Sequence, residues 1–107
     1  MKDLGNLMKQ AQELQGRMAA VQAELEAMDI SGRSGAGLVQ VTLSGKGDMK
    51  AIVVDPSLMK PEEKEILEDL VVAAHADARA KMEQAVAEKM KAVTGNLPLP
   101  PGFNLGL

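Results

Sequence analysis

Residues 35–57, GAGLVQVTLSGKGDMKAIVVDPS, decide the fold, because they contain two short apolar runs joined by a turn. In each run every second side chain is apolar, which is the period of a β-strand. The connection SGKGD (residues 44–48) contains two glycines, and glycine supplies the positive φ that a tight reversal needs. Proline at position 56 cannot continue a central ladder, so the second run ends there. The stretch predicts a β-hairpin.

A hairpin of this kind needs a partner. Two strands alone are marginally stable in water, and their edges invite pairing with another chain. We therefore expect a second copy of the chain to dock on this β unit. The strand period assigns the candidate dimer-interface residues to alternate positions of the two runs: Val39, Val41, Leu43, Met49, Ala51 and Val53.

A heptad pattern precedes the hairpin and predicts a helix over residues 1–28. Its apolar residues recur at alternating steps of three and four, as in the a and d positions of a coiled coil. They are Leu4, Leu7, Ala11, Leu14, Met18, Val21, Leu25 and Met28. The seam either packs on a second helix of the same chain or forms a two-chain coiled coil, and the two arrangements are compatible.

The remaining segments complete an α+β pattern. Residues 29–37 break the heptads and contain three glycines, which favours a short edge strand followed by a turn or bulge. Pro61 followed by two glutamates predicts the start of a second long helix, residues 61–94, which Gly95 ends. The proline-rich residues 95–107 predict an extended tail. We thus predict one domain with a long N-terminal helix, a small antiparallel sheet of about three strands and a long C-terminal helix.

The composition bounds the chemistry. The 107 residues include no cysteine, which excludes disulfides, thiolate metal sites and cysteine nucleophiles. The N-terminus lacks the apolar run of a signal peptide, and no apolar stretch is long enough to span a membrane. We therefore expect a cytoplasmic protein without a membrane partner.

The sequence gives no place for catalysis. His75, the one histidine, lies in a helical pattern without the ligand spacing of a metal site, so it is best interpreted as an ordinary helix residue. The acidic residues 62–69 are better interpreted as solvated groups that complement a helix dipole. The glycine pairs at 35–37 and 45–47 complete no nucleotide-binding motif. We predict no enzyme activity, no cofactor and no metal.

The charge distribution restricts the ligand class. The net charge of −3 argues mildly against nucleic acid, but basic residues cluster between positions 79 and 91. Single-stranded nucleic acid is disfavoured, because its binding relies on aromatic side chains and the chain has one phenylalanine. Duplex DNA, held through its phosphates with little sequence reading, is compatible with this pattern.

Five blocks of the sequence together resemble the YbaB/EbfC family of bacterial nucleoid-associated proteins. They follow the order of the family and cover nearly the whole chain: MKDLGNLMKQAQ (1–12), SGAGLV (34–39) with GKG (45–47), DPSL (55–58), LEDLVVAA (67–74) and LPPGF (99–103). The resemblance implies a homodimer that pairs through its β elements. From each side two helices would project as arms, giving a tweezer-like shape that receives double-stranded DNA. It also implies a nucleoid location and roles in nucleoid organisation, gene regulation or recombination and repair.

The candidate DNA-binding residues are the basic ones on the two helices. They are Lys2, Lys9, Arg17, Arg79, Lys81, Lys89 and Lys91. Because both helices leave the same β unit, we expect their far ends to lie close together. Lys2 and Lys9 would then share an arm tip with Lys89 and Lys91. The alternative is a dimeric interaction protein that grips a protein partner with its arms or tail, with DNA binding incidental.

Overall fold

The computed structural model describes residues 2–94 and the side chains of residues 4–92. The predicted extended tail, residues 95–107, lies outside the described residues. In chain order the main elements are helix α1 Lys2–Ala27, strands β1 Ile30–Ser34, β2 Val39–Leu43 and β3 Met49–Val54, and helix α2 Lys64–Thr94. The predicted fold class is confirmed: two long helices flank a small three-stranded antiparallel sheet.

The sheet has the order β1-β2-β3, and both pairs are antiparallel. The predicted hairpin is β2-β3, and the predicted short edge strand is β1. A turn of residues 35–37 joins β1 to β2, and the two glycines and Ala36 all take positive φ there. In the hairpin turn, the buried Ser44 accepts hydrogen bonds from the amides of Lys46 and Asp48 on its Oγ.

The register of the hairpin differs from a strict alternation at one place. Thr42 pairs with Ala51, but Leu43 pairs with Met49, so Lys50 is an extra residue in β3. Paired residues of antiparallel strands point to the same side of a sheet, so this bulge separates Met49 from Ala51. The strict alternation predicted for Met49, Ala51 and Val53 therefore fails at Met49, which points to the other side of the sheet.

Helix α2 packs directly on β1 and β2. The core contains Val39, Val41 and Leu43 of the sheet, Leu58 of the connection, and Ala74 and Ala78 of the helix. Gly32 in β1 lies against the backbone of α2. A Cβ at position 32 would approach the Ala74 carbonyl oxygen to 2.5 Å and the Ala78 Cα to 2.6 Å. The contact therefore needs glycine on the strand and small residues on the helix.

Helix α1 reaches this unit only with its C-terminal part. Val21 and Leu25 form a second cluster with Met90 of α2. The Leu25 carbonyl accepts a 2.8 Å hydrogen bond from the amide of Gly45 in the hairpin turn. The C-terminal half of the heptad seam thus packs within the chain, as the first of its two predicted arrangements requires. Leu4, Leu7 and Leu14 of the other half are exposed, and the chain measures 73 × 23 × 16 Å.

We predict that Gly32→Ala destabilises the fold by about 3 kcal/mol, because the added methyl group meets backbone atoms that cannot move independently. Urea unfolding followed by circular dichroism measures the change. The matched control is Gly16→Ala in α1, where an added Cβ has no atom within 4 Å. There we expect a gain of about 1 kcal/mol, because alanine favours the helix. Equal stability of Gly32→Ala and the parent chain would contradict the proposed role of the contact.

Candidate nucleic-acid interface

The basic candidates lie on the two helices, as predicted. Lys9 and Arg17 are exposed on α1, and Arg79, Lys81 and Lys91 are exposed on α2. Lys89 of α2 is half-buried beside α1. Lys2 belongs to α1, but its side chain lies outside the described ones.

Three of these cations are already paired with carboxylates of the same chain. Within α2, Arg79 contacts Glu83 at 3.2 Å and Lys81 contacts Asp77 at 2.9 Å. Both pairs are four residues apart, the spacing that places side chains on one helix face. Lys89 contacts Glu24 of α1 at 3.1 Å and so joins the two helices.

The other described candidates form no ion pair with a described side chain. No acidic side chain among those of residues 4–92 lies within 4 Å of Lys9, Arg17 or Lys91. Arg17 lies one helical turn before Val21, and Lys91 directly follows Met90, which packs with Val21. The structure therefore brings Arg17 and Lys91 to the same stretch of the helix pair.

The predicted shared arm tip was wrong for Lys89, and also for Lys91, which directly follows Met90 in the contact with α1. The ammonium group of Lys89 contacts Glu24, which is 15 residues from Lys9 along α1. At a rise of ~1.5 Å per residue, this separation is about 22 Å. The reason is that α1 joins α2 through its C-terminal part, so the N-terminal part of α1 runs past the described end of α2. Lys9 thus lies on the projecting part of α1, apart from the basic residues of α2.

The six candidate interface residues divide into two groups. Val39, Val41 and Leu43 are fully buried and pack under α2 in the core of the chain itself. Met49, Ala51 and Val53 are exposed on β3. Ile52, which was not among the candidates, is 45% exposed beside them. The exposure of β3 on both faces arises because α2 covers β1 and β2 only.

The face of the sheet away from α2 carries a chain of polar contacts and a further cation. Thr42 bonds Ser31 at 3.0 Å, Gln40 donates to Ser31 at 3.3 Å, and the guanidinium group of Arg33 donates to Gln40 at 3.2 Å. Arg33 was not among the candidate DNA-binding residues, which all lie on helices. Gly32 lies against α2, and successive residues of a strand point to opposite sides of the sheet, so Arg33 lies on this open face. This alternation is the sequence signal that could have identified Arg33.

Two lysines of the hairpin hold the base of α1. Lys46 contacts Glu26 at 2.8 Å, and this hydrogen bond and charge lower the pKa of the Glu26 carboxyl. Lys50 contacts Asp29 at 2.6 Å and lies 3.4 Å from the carbonyl oxygens of Glu26 and Met28. A cation there complements the C-terminal end of the helix dipole. These lysines therefore support the position of α1.

Asp77 links α2 to the sheet as well as to Lys81. Its carboxylate accepts hydrogen bonds from the Lys81 ammonium group at 2.9 Å and from the backbone amide of Arg33 at 3.0 Å. The bond from Lys81 contributes most, and together they hold the pKa of Asp77 below its ordinary value of 3.8. The ionised form therefore stabilises the fold above that pH, and this contribution is lost as the pH falls through the lowered pKa.

We predict that Asp77→Asn reduces stability at pH 7 and that the difference from the parent chain narrows at pH 3. The reason is that the parent carboxylate becomes protonated as the pH falls, whereas asparagine does not titrate. Urea midpoints at the two pH values measure the effect. Glu68→Gln, which removes an exposed carboxylate on the same helix, is the matched control and should alter the midpoints little. An undiminished difference at pH 3 would contradict the role assigned to this carboxylate.

Two other kinds of site are absent from the part of the chain that the structure describes. Neither helix within residues 2–94 is long and apolar enough to cross a membrane. The same residues hold no group of three histidine or acidic side chains that could bind a metal ion.

Comparison with known proteins identifies relatives over nearly the whole length. The sequence model of the YbaB/EbfC DNA-binding family matches residues 1–97. The chain is 58% identical over 105 residues to proteins named nucleoid-associated protein from Brucella anthropi and Brucella ovis, and the alignment covers 98% of each chain.

A solved structure supports the same fold. The crystal structure of HP0035, an uncharacterized protein from Helicobacter pylori, superimposes with a TM-score of 0.66. The match covers 89% of this chain and 96% of the other, at 23% sequence identity. At that identity the likeness concerns the fold alone.

Proposed function

The chain belongs to the YbaB/EbfC DNA-binding family, and from this premise we propose that it binds double-stranded DNA as a homodimer, mainly through phosphates and with limited sequence specificity. The observation that carries the proposal is the family match, which spans both helices and the sheet. The names of the Brucella relatives add support for a nucleoid-associated protein, and its proposed location is the nucleoid in the cytoplasm. The cellular role would be nucleoid organisation, gene regulation or recombination and repair, achieved by binding without a catalytic step.

The cations without an acidic partner among the described side chains are the best phosphate ligands. Lys9, Arg17 and Lys91 are exposed and can reach a phosphate without first breaking an ion pair. Contacts of this kind position a protein on DNA but do not distinguish bases. Binding through them would be sequence-tolerant and sensitive to salt, because each neutralised phosphate releases counterions.

The paired cations form a second group. The Arg79–Glu83 and Lys81–Asp77 pairs are solvent-exposed, and such pairs contribute only about 0–1 kcal/mol. A phosphate can replace the carboxylate at small cost, although the displaced carboxylate then repels the DNA. We assign Arg79, Lys81 and Lys89 a smaller share of the binding energy than the first group of cations. Lys2, at the start of α1, is the seventh candidate phosphate ligand. The net charge of −3 further weakens binding.

Strand β3 is the best candidate for the dimer contact. Among the described elements it pairs only with β2, so its outer edge has unpaired backbone groups. Its exposed apolar side chains are unusual for a free edge, since proteins commonly protect such edges with charge. Pairing of β3 with β3 of a second copy would cover Met49, Ala51 and Val53. Val39, Val41 and Leu43 would then support the interface from the core beneath.

We predict that Lys91→Gln lowers the affinity for unrelated duplexes and makes the dependence of log affinity on log salt shallower, by about 0.9 for each phosphate that is no longer neutralised. Fluorescence anisotropy with two duplexes of different sequence, over a range of salt concentrations, measures both quantities. Lys60→Gln is the matched control, because it removes the same charge from an exposed position before α2, far from the second cluster. An unchanged slope in Lys91→Gln would exclude this residue from phosphate binding.

Failure of the parent dimer to bind any duplex at low salt would contradict the proposed function as a whole. The alternative of a protein partner held by the arms or tail would then be favoured. It has one structural observation of its own, the exposed leucines of α1.

We predict that Val53→Asp yields a folded monomer. Val53 is 60% exposed, so the substitution leaves the core intact, whereas pairing of β3 between two copies would remove the new carboxylates from water beside apolar side chains, which is costly for charged groups. Sedimentation equilibrium measures the mass, and circular dichroism checks the fold. Val72→Asp, which places the same charge at a 70% exposed position of α2, should remain a dimer. A Val53→Asp dimer of unchanged affinity would exclude β3 as the contact.

A further inference from the structure

The N-terminal part of α1 has an apolar surface that no described residue covers. Leu4, Leu7 and Leu14 are 58%, 58% and 47% exposed, and Ala11 lies between them at heptad spacing. We name these four residues the α1 stripe. The stripe continues the line of Val21 and Leu25, which are buried against Met90. Exposed apolar surface of this kind marks a contact site.

The described part of α2 ends beside this surface. Helix α1 runs towards the sheet, whereas α2 runs away from it, so the two helices pass each other in opposite senses. Met90 packs with Val21, and α2 reaches Thr94 one helical turn later. The described end of α2 therefore lies near the level of Met18. From there the stripe extends to Leu4, a distance of about 21 Å at ~1.5 Å per residue.

The sequence that follows Thr94 suits this surface in chemistry and length. Residues 95–107, GNLPLPPGFNLGL, contain no charged side chain. Their five large apolar residues stand at alternate positions in two short runs: Leu97 and Leu99, then Phe103, Leu105 and Leu107. Alternate side chains of an extended segment point to one side. Thirteen extended residues span up to about 43 Å, which is twice the distance required.

We propose that residues 95–107 bind the α1 stripe of the same chain and extend the contact that Met90 makes with the C-terminal half of the seam. The attachment at Thr94 holds this segment next to the stripe at an effective concentration in the millimolar range. A second copy would have to form the same apolar contact at the cost of its translational and rotational freedom. The proposal is independent of DNA binding.

The ring of Phe103 makes the contact measurable in the full-length protein. Phe103 is the only phenylalanine, and the chain has no tyrosine or tryptophan, so the one other aromatic ring is the imidazole of His75 in α2, which Phe103→Leu leaves in place. Phe103 is nine positions beyond Thr94, which lets it reach the stripe near Leu7 and the neighbouring Met8. We would record methyl spectra of protein labelled at the methionine, leucine and alanine methyl groups. Phe103→Leu, which keeps the side chain apolar, provides the reference.

The expected result is that Phe103→Leu shifts the methyl signals of Met8 and of the α1 stripe and leaves those of Met49 and Met59, on β3 and in the β3–α2 connection, in place. Leu7→Asp should abolish the ring-current shifts of the remaining stripe methyls, whereas Val72→Asp on α2 should preserve them. Stripe signals that do not respond to Phe103→Leu would overturn the proposal, as would a response confined to β3. In a mixture of labelled and unlabelled protein, contacts from Phe103 found only between copies would assign the stripe to a second copy and overturn binding within the chain.

Discussion

The contact between Gly32 and the backbone of α2 is the constraint on which the rest of the structure depends. Because glycine brings no side chain, β1 approaches the helix at Ala74 and Ala78 closely enough for backbone atoms to touch. The chain has one phenylalanine and no tyrosine or tryptophan, so it cannot fill a wide space between helix and sheet with large aromatic side chains. Close approach of small residues gives the dense packing that a core requires.

The placement of α2 on β1 and β2 determines what the remaining elements can do. A helix above the first two strands leaves β3 uncovered, and the same helix continues beyond the sheet to meet α1 at Met90. Within the described part of the chain, the sheet edge and the N-terminal half of α1 are thereby left as unsatisfied apolar surfaces. The sheet edge has unpaired backbone groups, to which a strand of a second copy can form hydrogen bonds. The apolar surface on the N-terminal half of α1 consists of side chains alone, and these suit contact with an extended apolar segment.

Local patterns predicted most of the fold, and non-local contacts account for what they missed. The heptads, the alternating runs and the glycine turns each specify an element from neighbouring residues alone, and the elements are present as predicted. The bulge at Lys50 was not predictable in this way, because the lysine contacts Asp29 and the end of α1, more than twenty residues away. The position of Lys89 depended likewise on Glu24. Ion pairs four residues apart in α2 could have been inferred from spacing.

The ion pairs also change how an acidic protein can bind DNA. Pairing neutralises Arg79, Lys81 and Lys89 together with the carboxylates that they contact. The net charge of −3 is therefore a poor guide to the potential near the helix pair. What matters at a phosphate is the local potential within about 10 Å, the screening length at moderate salt. Arg17 and Lys91 supply two charges that form no ion pair with a described side chain, within one stretch of the helix pair. In the proposed dimer this stretch would occur twice, so that a weak site in one chain would become a bivalent one in the assembly.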